Sequence, residues 1–357
     1  MPSFFAKQIL NWQTNNPRPL PWDGGPRDPY HIWISEIIMQ QTRIEQGAPY
    51  YLRFIDRFPS VQSLASASLD EVLHSWQGLG YYTRARNIHK AAQLIVNERN
   101  GVFPDSYDDL LNLPGIGPYS AAAIASFAYG LRYPVVDGNV KRVIARFTGI
   151  TNSIDDNVVH ESIKTIAGDF MKGVNPGEFN QAIMNFGAII CKPGTAMCEM
   201  CPLTKKCFAY QHDMVELLPV RSKKKTNKVR HFHFLVIHYK GKIVLQRREE
   251  RDIWRGLYTP PMIESGSSRK PPPANMKQMV LKLFGNVSFD LTTSSPVIQQ
   301  LLSHQTLIGR FHSIELLSTP KKLSEPFVWV TQKTINDYGK PKMVMEMMES
   351  YQQPKRR

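Results

Sequence analysis

The residues best suited to chemistry are four cysteines, two carboxylates and a glycine-rich turn. Cys191, Cys198, Cys201 and Cys207 are the only cysteines among 357 residues and fall within seventeen of them. A disulfide framework would scatter such residues, whereas four thiols this close suit one metal centre in a reducing compartment. A double-knuckle zinc site needs two closely spaced thiol pairs, and here only Cys198 and Cys201 are separated by two residues. Four thiolates also hold an iron–sulfur cubane at spacings that vary among families. Spacing therefore favours a cluster and leaves zinc open.

Glu36 lies in an apolar helical segment with Trp33, Ile34, Ile37 and Ile38. Low-dielectric surroundings disfavour ionisation and yield a carboxylic acid able to donate a proton near neutrality; the alternative is a surface glutamate. Asp137 precedes a helix beginning near Asn139, where a cap is its ordinary role. The LPGIGPY turn, Leu113 to Tyr119, joins two helical stretches. Gly115 and Gly117 can adopt backbone angles closed to other residues, exposing N–H groups beside a helix amino end where phosphate binds.

The C-x6-C-x2-C-x5-C pattern following a helix resembles the four-iron loop of the endonuclease III and MutY superfamily of DNA glycosylases, and LPGIGPY upstream is similar to its helix-hairpin-helix. The stretch RDPYHIWISEIIMQQT, Arg27 to Thr42, looks like the diagnostic segment of the MutY branch. This resemblance spans roughly Asn11 to Leu217. It implies an all-α helix-hairpin-helix glycosylase domain with a 4Fe-4S loop, followed by an α/β Nudix-like domain. The cluster would serve structure and docking, with Lys192, Lys205 and Lys206 presenting charge to duplex DNA.

The same resemblance implies that Glu36 protonates a flipped-out adenine and that Asp137 steadies the sugar cation, assisted by Tyr119 and Asn139. Endonuclease III has a nucleophilic lysine where this chain has Tyr119. A phenol forms no imine, so strand nicking is expected to be absent or weak and the enzyme monofunctional. Gln41 and Tyr81 would insert near the orphaned base, Arg84 and Arg86 would reach phosphates, and Leu113, Gly115 and Gly117 would form the DNA-facing hairpin. Trp22, Met39, Gln181 and Met184 would line the adenine pocket. Gln181 replaces a frequent glutamate, changing one polar contact in kind, and Asp23 stands where relatives commonly have a basic residue.

The carboxy-terminal half resembles the Nudix-like domain with which MutY recognises 8-oxoguanine. Asp252 to Pro261 (DIWRGLYTPP) looks like its WxGL-type loop, and Leu302-Ser303-His304 like its F-S-H loop with leucine at the aromatic place. Ser303 and His304 are the candidates for lesion contact. Between Gly256 and Phe289 no REx2E-like carboxylate cluster occurs, so binding rather than hydrolysis is expected. The implied activity is excision of adenine mispaired with 8-oxoguanine or guanine, by a monomer. A lyase-type pyrimidine glycosylase is disfavoured by Tyr119, and a silent DNA-binding sensor by the pair Glu36 and Asp137.

The elements that must position these residues read as follows. Helical periodicity runs from Asp28 to Phe58 and recurs at Leu69–Trp76, Arg84–Glu98, Ser106–Leu111, Tyr119–Tyr129, Asn139–Phe147, Asn157–Met171 and Phe179–Ile190. A catalytic region over 1–217 follows, with a six-helix barrel at about 22–131 and an iron–sulfur module from 1–21 and 132–217. Residues 218–230, LPVRSKKKTNKVR, read as an exposed basic linker. Beyond it, His231–Tyr239 and Lys242–Gln246 read as a hairpin around Lys240-Gly241, Asn275–Phe284 as a helix and Phe327–Thr331 as a strand, within a domain over 231–350.

Composition sets the outer bounds. The net charge is +14, yet residues 1–217 sum to −1 and the remainder to +15, so a polyanion is the first partner to consider, chiefly for the second half. The amino terminus, MPSFFAKQIL, lacks the features of a signal peptide. The longest nearly apolar stretch, Ala121–Leu131, is about half of what a bilayer span requires. A reducing, cytoplasmic location is the expectation, nucleoid-associated if the source is bacterial, without membrane contact.

Overall fold

The computed structural model describes residues 1–21, 28–222, 227–249, 252–266 and 273–352. Its helices in chain order are α1 (Phe4–Asn15), α2 (Pro29–Met39), α3 (Ile44–Arg57), α4 (Val61–Ser66), α5 (Leu69–Ser75), α6 (Thr83–Arg99), α7 (Tyr107–Leu111), α8 (Pro118–Tyr129), α9 (Gly138–Thr148), α10 (Asn157–Phe170), α11 (Pro176–Ile189), α12 (Phe208–Gln211), α13 (Pro273–Phe284) and α14 (Lys342–Gln352). The strands are β1 (Lys228–Tyr239), β2 (Lys242–Arg247), β3 (Tyr258–Thr259), β4 (Met262–Ser265), β5 (Phe289–Ser294), β6 (Ile298–Leu301), β7 (Gln305–Leu316) and β8 (Phe327–Thr331).

Two units result, Met1–Ser66 with Lys90–Lys224, and Ala67–His89 with Lys225–Arg357. The segment Ala67–His89, read from sequence as part of the helical catalytic region, belongs to the second unit.

In the first unit, side-chain caps start the helices that carry the site. Ser3, Asp28, Asp137, Asp156 and Asn175 each accept a backbone N–H from the first turn of their helix, satisfying donors that otherwise lack partners. Helix α1 was not anticipated from the sequence. Its Phe5, Ala6, Ile9 and Trp12 are buried in one core with residues of α9, α10 and α11, among them Val143, Ile163, Phe179 and Phe186. Phe5 stacks on Phe170 with centroids 4.3 Å apart, and burying a side chain of this size contributes about 2–3 kcal/mol.

The continuous helical stretch expected over Asp28–Phe58 is interrupted. Helix α2 ends at Met39, Gln41 takes φ of +58°, and α3 begins at Ile44. The exposed linker expected from Leu218 is corrected at both ends. Leu218 is buried, and Val220 accepts a bond from Ile154 N–H at 3.0 Å, so this part folds onto the first unit. At the other end, β1 already starts at Lys228. Among described residues, no helix is long and apolar enough to cross a membrane.

The second unit is built on a sheet ordered β3-β2-β1-β7-β5, with β4 also pairing β1, β6 pairing β7 and β8 pairing β2. The long central pair β1·β7 is parallel, in register from Lys228 opposite Gln305 to His238 opposite Glu315. The other pairs are antiparallel. Alternate β1 residues Leu235 and Ile237 pack with Met276, Val280 and Phe284 of α13, as the twofold periodicity of a strand requires. The Lys240-Gly241 turn has positive φ at both residues, matching the twist of a two-residue hairpin.

Candidate active site

Glu36 sits on α2 between buried Trp33, Ile34, Ile37 and Ile38. Burial of its carboxyl raises the pKa to about 7; a hydrogen bond with Tyr119 opposes the rise and the nearby Asp137 carboxyl adds to it. The group is therefore a mixture of acid and carboxylate at neutral pH, the condition for general acid catalysis.

Tyr119 occupies the first turn of α8, directly after the glycine turn. Burial first, then Glu36 and Asp137, drive its phenol well above its ordinary range. It stays neutral beside the two carboxyls.

Asp137 caps α9, the ordinary role of an aspartate before a helix. Its Oδ1 accepts Val140 N–H at 2.7 Å and its Oδ2 accepts Asn139 Nδ2–H at 2.8 Å. Burial pushes its pKa up, while these bonds and the Arg142 charge restrain the rise. The cap consumes lone pairs without taking the carboxylate out of the site, since it still shifts the pKa of Glu36.

Arg142 is a site residue that the sequence reading missed. Only 4 % exposed, it donates from Nε to the Cys191 carbonyl at 2.7 Å, and from Nη2 to the Gly187 carbonyl at 2.7 Å and Asn139 Oδ1 at 2.9 Å. One guanidinium thus joins the amide that holds Asp137 to the backbone of the first cysteine. A side chain at Gly187 would place its Cβ 2.7 Å from that of Asn139, so glycine permits this approach of α11 to α9. One turn on, Arg146 donates to the Leu218 and Lys192 carbonyls, both at 2.8 Å, and lies 3.4 Å from Cys191 Sγ. Two arginines four apart in a core-facing helix were the signal available.

The four cysteines line one small cavity with Arg146, Ile190 and Tyr210. Burial raises the pKa of Cys198 and Cys207 and pushes Cys201 to about 12, with the neighbouring thiols adding to each rise. Four thiolates gathered this way require a compensating cation, and the donor set fits an all-sulfur metal centre. Among the described residues, no three His, Cys, Asp or Glu side chains converge on a point that would hold a single metal ion.

The glycine turn is partly as expected. Gly115 has φ of +80° and needs glycine for that angle. Gly117 corrects the reading, since its φ of −94° is ordinary and a Cβ there would meet nothing within 4 Å. Both glycines are exposed, whereas Leu113 is buried and its carbonyl accepts Ile116 N–H. Leu113 shapes the turn from beneath.

Gln41 and Tyr81 share a conformational signature. Each is an exposed non-glycine residue at positive φ, +58° and +49°, a cost of about 1–3 kcal/mol that surrounding structure must hold in place. Tyr81 Oη hydrogen-bonds Ser303 Oγ inside the second unit. Arg84 and Arg86, the residues expected to reach phosphates, also contact their own unit. Arg84 is held over the Trp76 and Tyr81 rings and donates to the Gly80 carbonyl, and Arg86 donates to the Arg255 carbonyl and Thr83 Oγ1.

Of the remaining candidates, Met184 packs with Tyr119 around Ala122, Ala123 and Val135. Gln181 donates to Asn185 Oδ1 at 3.3 Å, and Met39 ends α2 half-buried. Trp22 and Asp23 lie outside the described residues. Lys192 and Lys205 are exposed, and Lys206 is exposed with its ammonium 4.7 Å from the Phe4 ring. Ser303 and His304 are exposed at the tip of the β6–β7 hairpin.

Residues 34–167 match the HhH-GPD superfamily of base excision DNA repair proteins, and residues 233–350 match the NUDIX domain. The adenine DNA glycosylase of Buchnera aphidicola subsp. Acyrthosiphon pisum (strain APS) is 32% identical over 354 residues, covering 97% of each chain. The human adenine DNA glycosylase is 38% identical over 215 residues, 58% of this chain and 39% of its own. Among solved structures, a thermostable thymine-DNA glycosylase aligns with a TM-score of 0.54 and 30% identity over 58% of this chain and 95% of its own. A fold made of a helical hairpin-bearing unit and a Nudix-like sheet, together with a relative aligned from end to end, leads to one conclusion: this chain belongs to the adenine DNA glycosylases, hydrolases of base excision repair in the HhH-GPD superfamily.

Proposed function

We propose that this glycosylase releases adenine mispaired with 8-oxoguanine or guanine in duplex DNA, by acid-assisted hydrolysis of the N-glycosidic bond. The observation that carries the reading is the Glu36 carboxyl, raised to about 7 by burial and placed with Tyr119 and Asp137. Glu36 hands a proton to a ring nitrogen of the extruded purine, which converts an anionic leaving group into a neutral one. Tyr119 holds the Glu36 carboxyl in position through their hydrogen bond. As the bond to the base lengthens, positive charge grows on the deoxyribose, and the Asp137 carboxylate stabilises it. Asn139, clamped by Arg142, keeps Asp137 turned toward that charge. This division between a protonated and an ionised carboxyl is the one used in glycoside hydrolysis. Met39, Gln181 and Met184 line the adenine site in this reading, together with Trp22.

Tyr119 offers no amine, so the reaction ends at the abasic site. A base must leave the stack to reach Glu36, and the strained Gln41 and Tyr81 are the residues assigned to fill the vacancy. Gly117 leaves room for close approach of a phosphate to the amino end of α8, where N–H groups and the helix dipole favour an anion. Lys192 and Lys205 add charge beside the cysteine loop. Cys191, Cys198, Cys201 and Cys207 would hold a 4Fe-4S cluster, which when bound anchors that loop and its lysines. Ser303 and His304 contact the lesion in the second unit, and the charge of +15 over residues 218–357 contributes salt-dependent affinity.

The test is single-turnover release of adenine from duplexes bearing 8-oxoguanine, guanine, cytosine or thymine opposite it. Excision confined to the first two supports the proposal, and no adenine release from any duplex overturns it.

A further inference from the structure

Gln40 stands between the helix of the acid and the strained Gln41, and no part of the reading above uses it. Its backbone N–H donates to the Glu36 carbonyl at 3.2 Å, and its ψ of 114° turns the chain out of α2. Its side chain reaches across to α8, where Nε2 donates to Ser120 Oγ at 3.1 Å. Ser120 follows Tyr119 in the first turn of α8 and is only 1 % exposed. A hydroxyl buried this deeply needs a polar partner. The side chains of the buried Ala121, Ala122, Ala123 and Ala125 beside it offer none, and the partner comes from 80 residues away in the chain.

The bond closes a ring. From Glu36 the ring runs through the backbone bond to Gln40, through the amide to Ser120, one residue back to Tyr119, and through the phenol to the Glu36 carboxyl. Apolar packing between two helices is non-directional, whereas a hydrogen bond weakens steeply with angle. The acid–phenol pair therefore needs a polar link that fixes α8 against α2. The titratable groups facing Glu36 are Tyr119 of α8 and Asp137 ahead of α9. Gln40 carries no charge and acts on the acid through the position of the phenol.

We propose that Gln40 is a positioning residue for excision: its bond to Ser120 sets the rotation of α8 that brings the Tyr119 hydroxyl onto the Glu36 carboxyl. This rests on the reading of Glu36 as the acid. Without the bond, the phenol loses its alignment and the carboxylate loses a hydrogen bond that favours its charged form, so the Glu36 pKa rises further. The acid then stays protonated to higher pH yet is aimed less well at the base. Excision slows while its fall with pH moves upward. A defect of packing alone lowers the rate at every pH and leaves that midpoint in place.

The experiment follows single-turnover adenine release from a duplex containing 8-oxoguanine opposite adenine, from acid to alkaline pH. It uses the full-length, metal-loaded parent, Gln40→Met, Ser120→Ala, Tyr119→Phe and the double variant Gln40→Met with Tyr119→Phe, with circular dichroism melting as the folding control. Methionine keeps the length of Gln40 without its donor, and alanine removes the acceptor from the other side. In both Gln40→Met and Ser120→Ala the rate on the low-pH plateau should fall about 10-fold or more. The midpoint should rise by about half a pH unit to one pH unit, the equivalent of one hydrogen bond. In the Tyr119→Phe background, Gln40→Met should move the midpoint no further. A parental midpoint in either folded single variant, whatever its rate, overturns the positioning role, and so does a further shift in the Tyr119→Phe background. A parent whose excision does not fall above about 7 overturns the acid reading and the proposal with it.

Discussion

Replacing Glu36 with glutamine keeps the side chain's shape and removes its titrating proton, so it separates the acid role from packing. The carboxyl titrates at about 7 in the folded protein against 4.5 ordinarily. Below pH 4.5 it is protonated in folded and unfolded chains alike and contributes nothing to the pH dependence of stability. Between 4.5 and 7 the folded chain retains a proton that the unfolded chain releases, and above 7 it holds a buried charge at the full penalty. A gap of this size corresponds to at most about 3 kcal/mol. Glu36→Gln therefore gains stability relative to the parent as pH rises from 4.5 to 7, by up to about 3 kcal/mol at pH 8, while losing adenine excision. Urea unfolding of both proteins across pH 4 to 8 measures the first quantity, and single-turnover release the second. In the parent, excision should fall about tenfold per pH unit above 7 as the acid is lost. A stability difference independent of pH, or excision at parental rates in the variant, would refute the argument.

Three further substitutions test the neighbouring groups. Asp137→Asn preserves the helix cap, since asparagine caps as well as aspartate; stability should stay within about 1 kcal/mol of the parent while excision is lost, and parental excision would reduce Asp137 to a cap. Arg142→Met strips donors from the carbonyls of Cys191 and Gly187 and from Asn139. A loss of about 3–5 kcal/mol with lower iron content on purification is expected, and unchanged melting with full iron would show the link to be dispensable. Gly117→Ala meets no neighbour within 4 Å and should leave melting unchanged within a few degrees while weakening duplex binding, measured by fluorescence anisotropy; parental affinity would remove the phosphate role from this turn.

Helices α8 and α9 were visible because apolar periodicity, Pro118 and the capping Asp137 all report on the chain within one turn of themselves. Helix α1 was legible in principle, with Ser3 as its cap and Phe5, Ile9 and Trp12 spaced along one face, but its short run gave no sign of which core it joins. Strands β5 and β6 were not read. Their residues are mostly exposed and lack the alternation that marks a strand buried on one face. They exist because β7 offers both a pairing edge, β6 across a three-residue turn and β5 from further back in the chain.

The sequence by itself determined the inventory: four thiols at fixed intervals, a carboxylic acid set among aliphatics, a tyrosine where an amine would permit nicking, and a basic second half. These are properties of residue type and local spacing, and no folding is needed to state them. Tertiary structure alone decided what each side chain touches. It set Arg84 and Arg86 against the carbonyls of Gly80 and Arg255, joined Asn139 to Cys191 through Arg142, and left two glutamine atoms in a cavity without partners. Hydrogen bonding and desolvation depend on distances between residues remote in sequence, and those distances come into being only when the helices and strands pack.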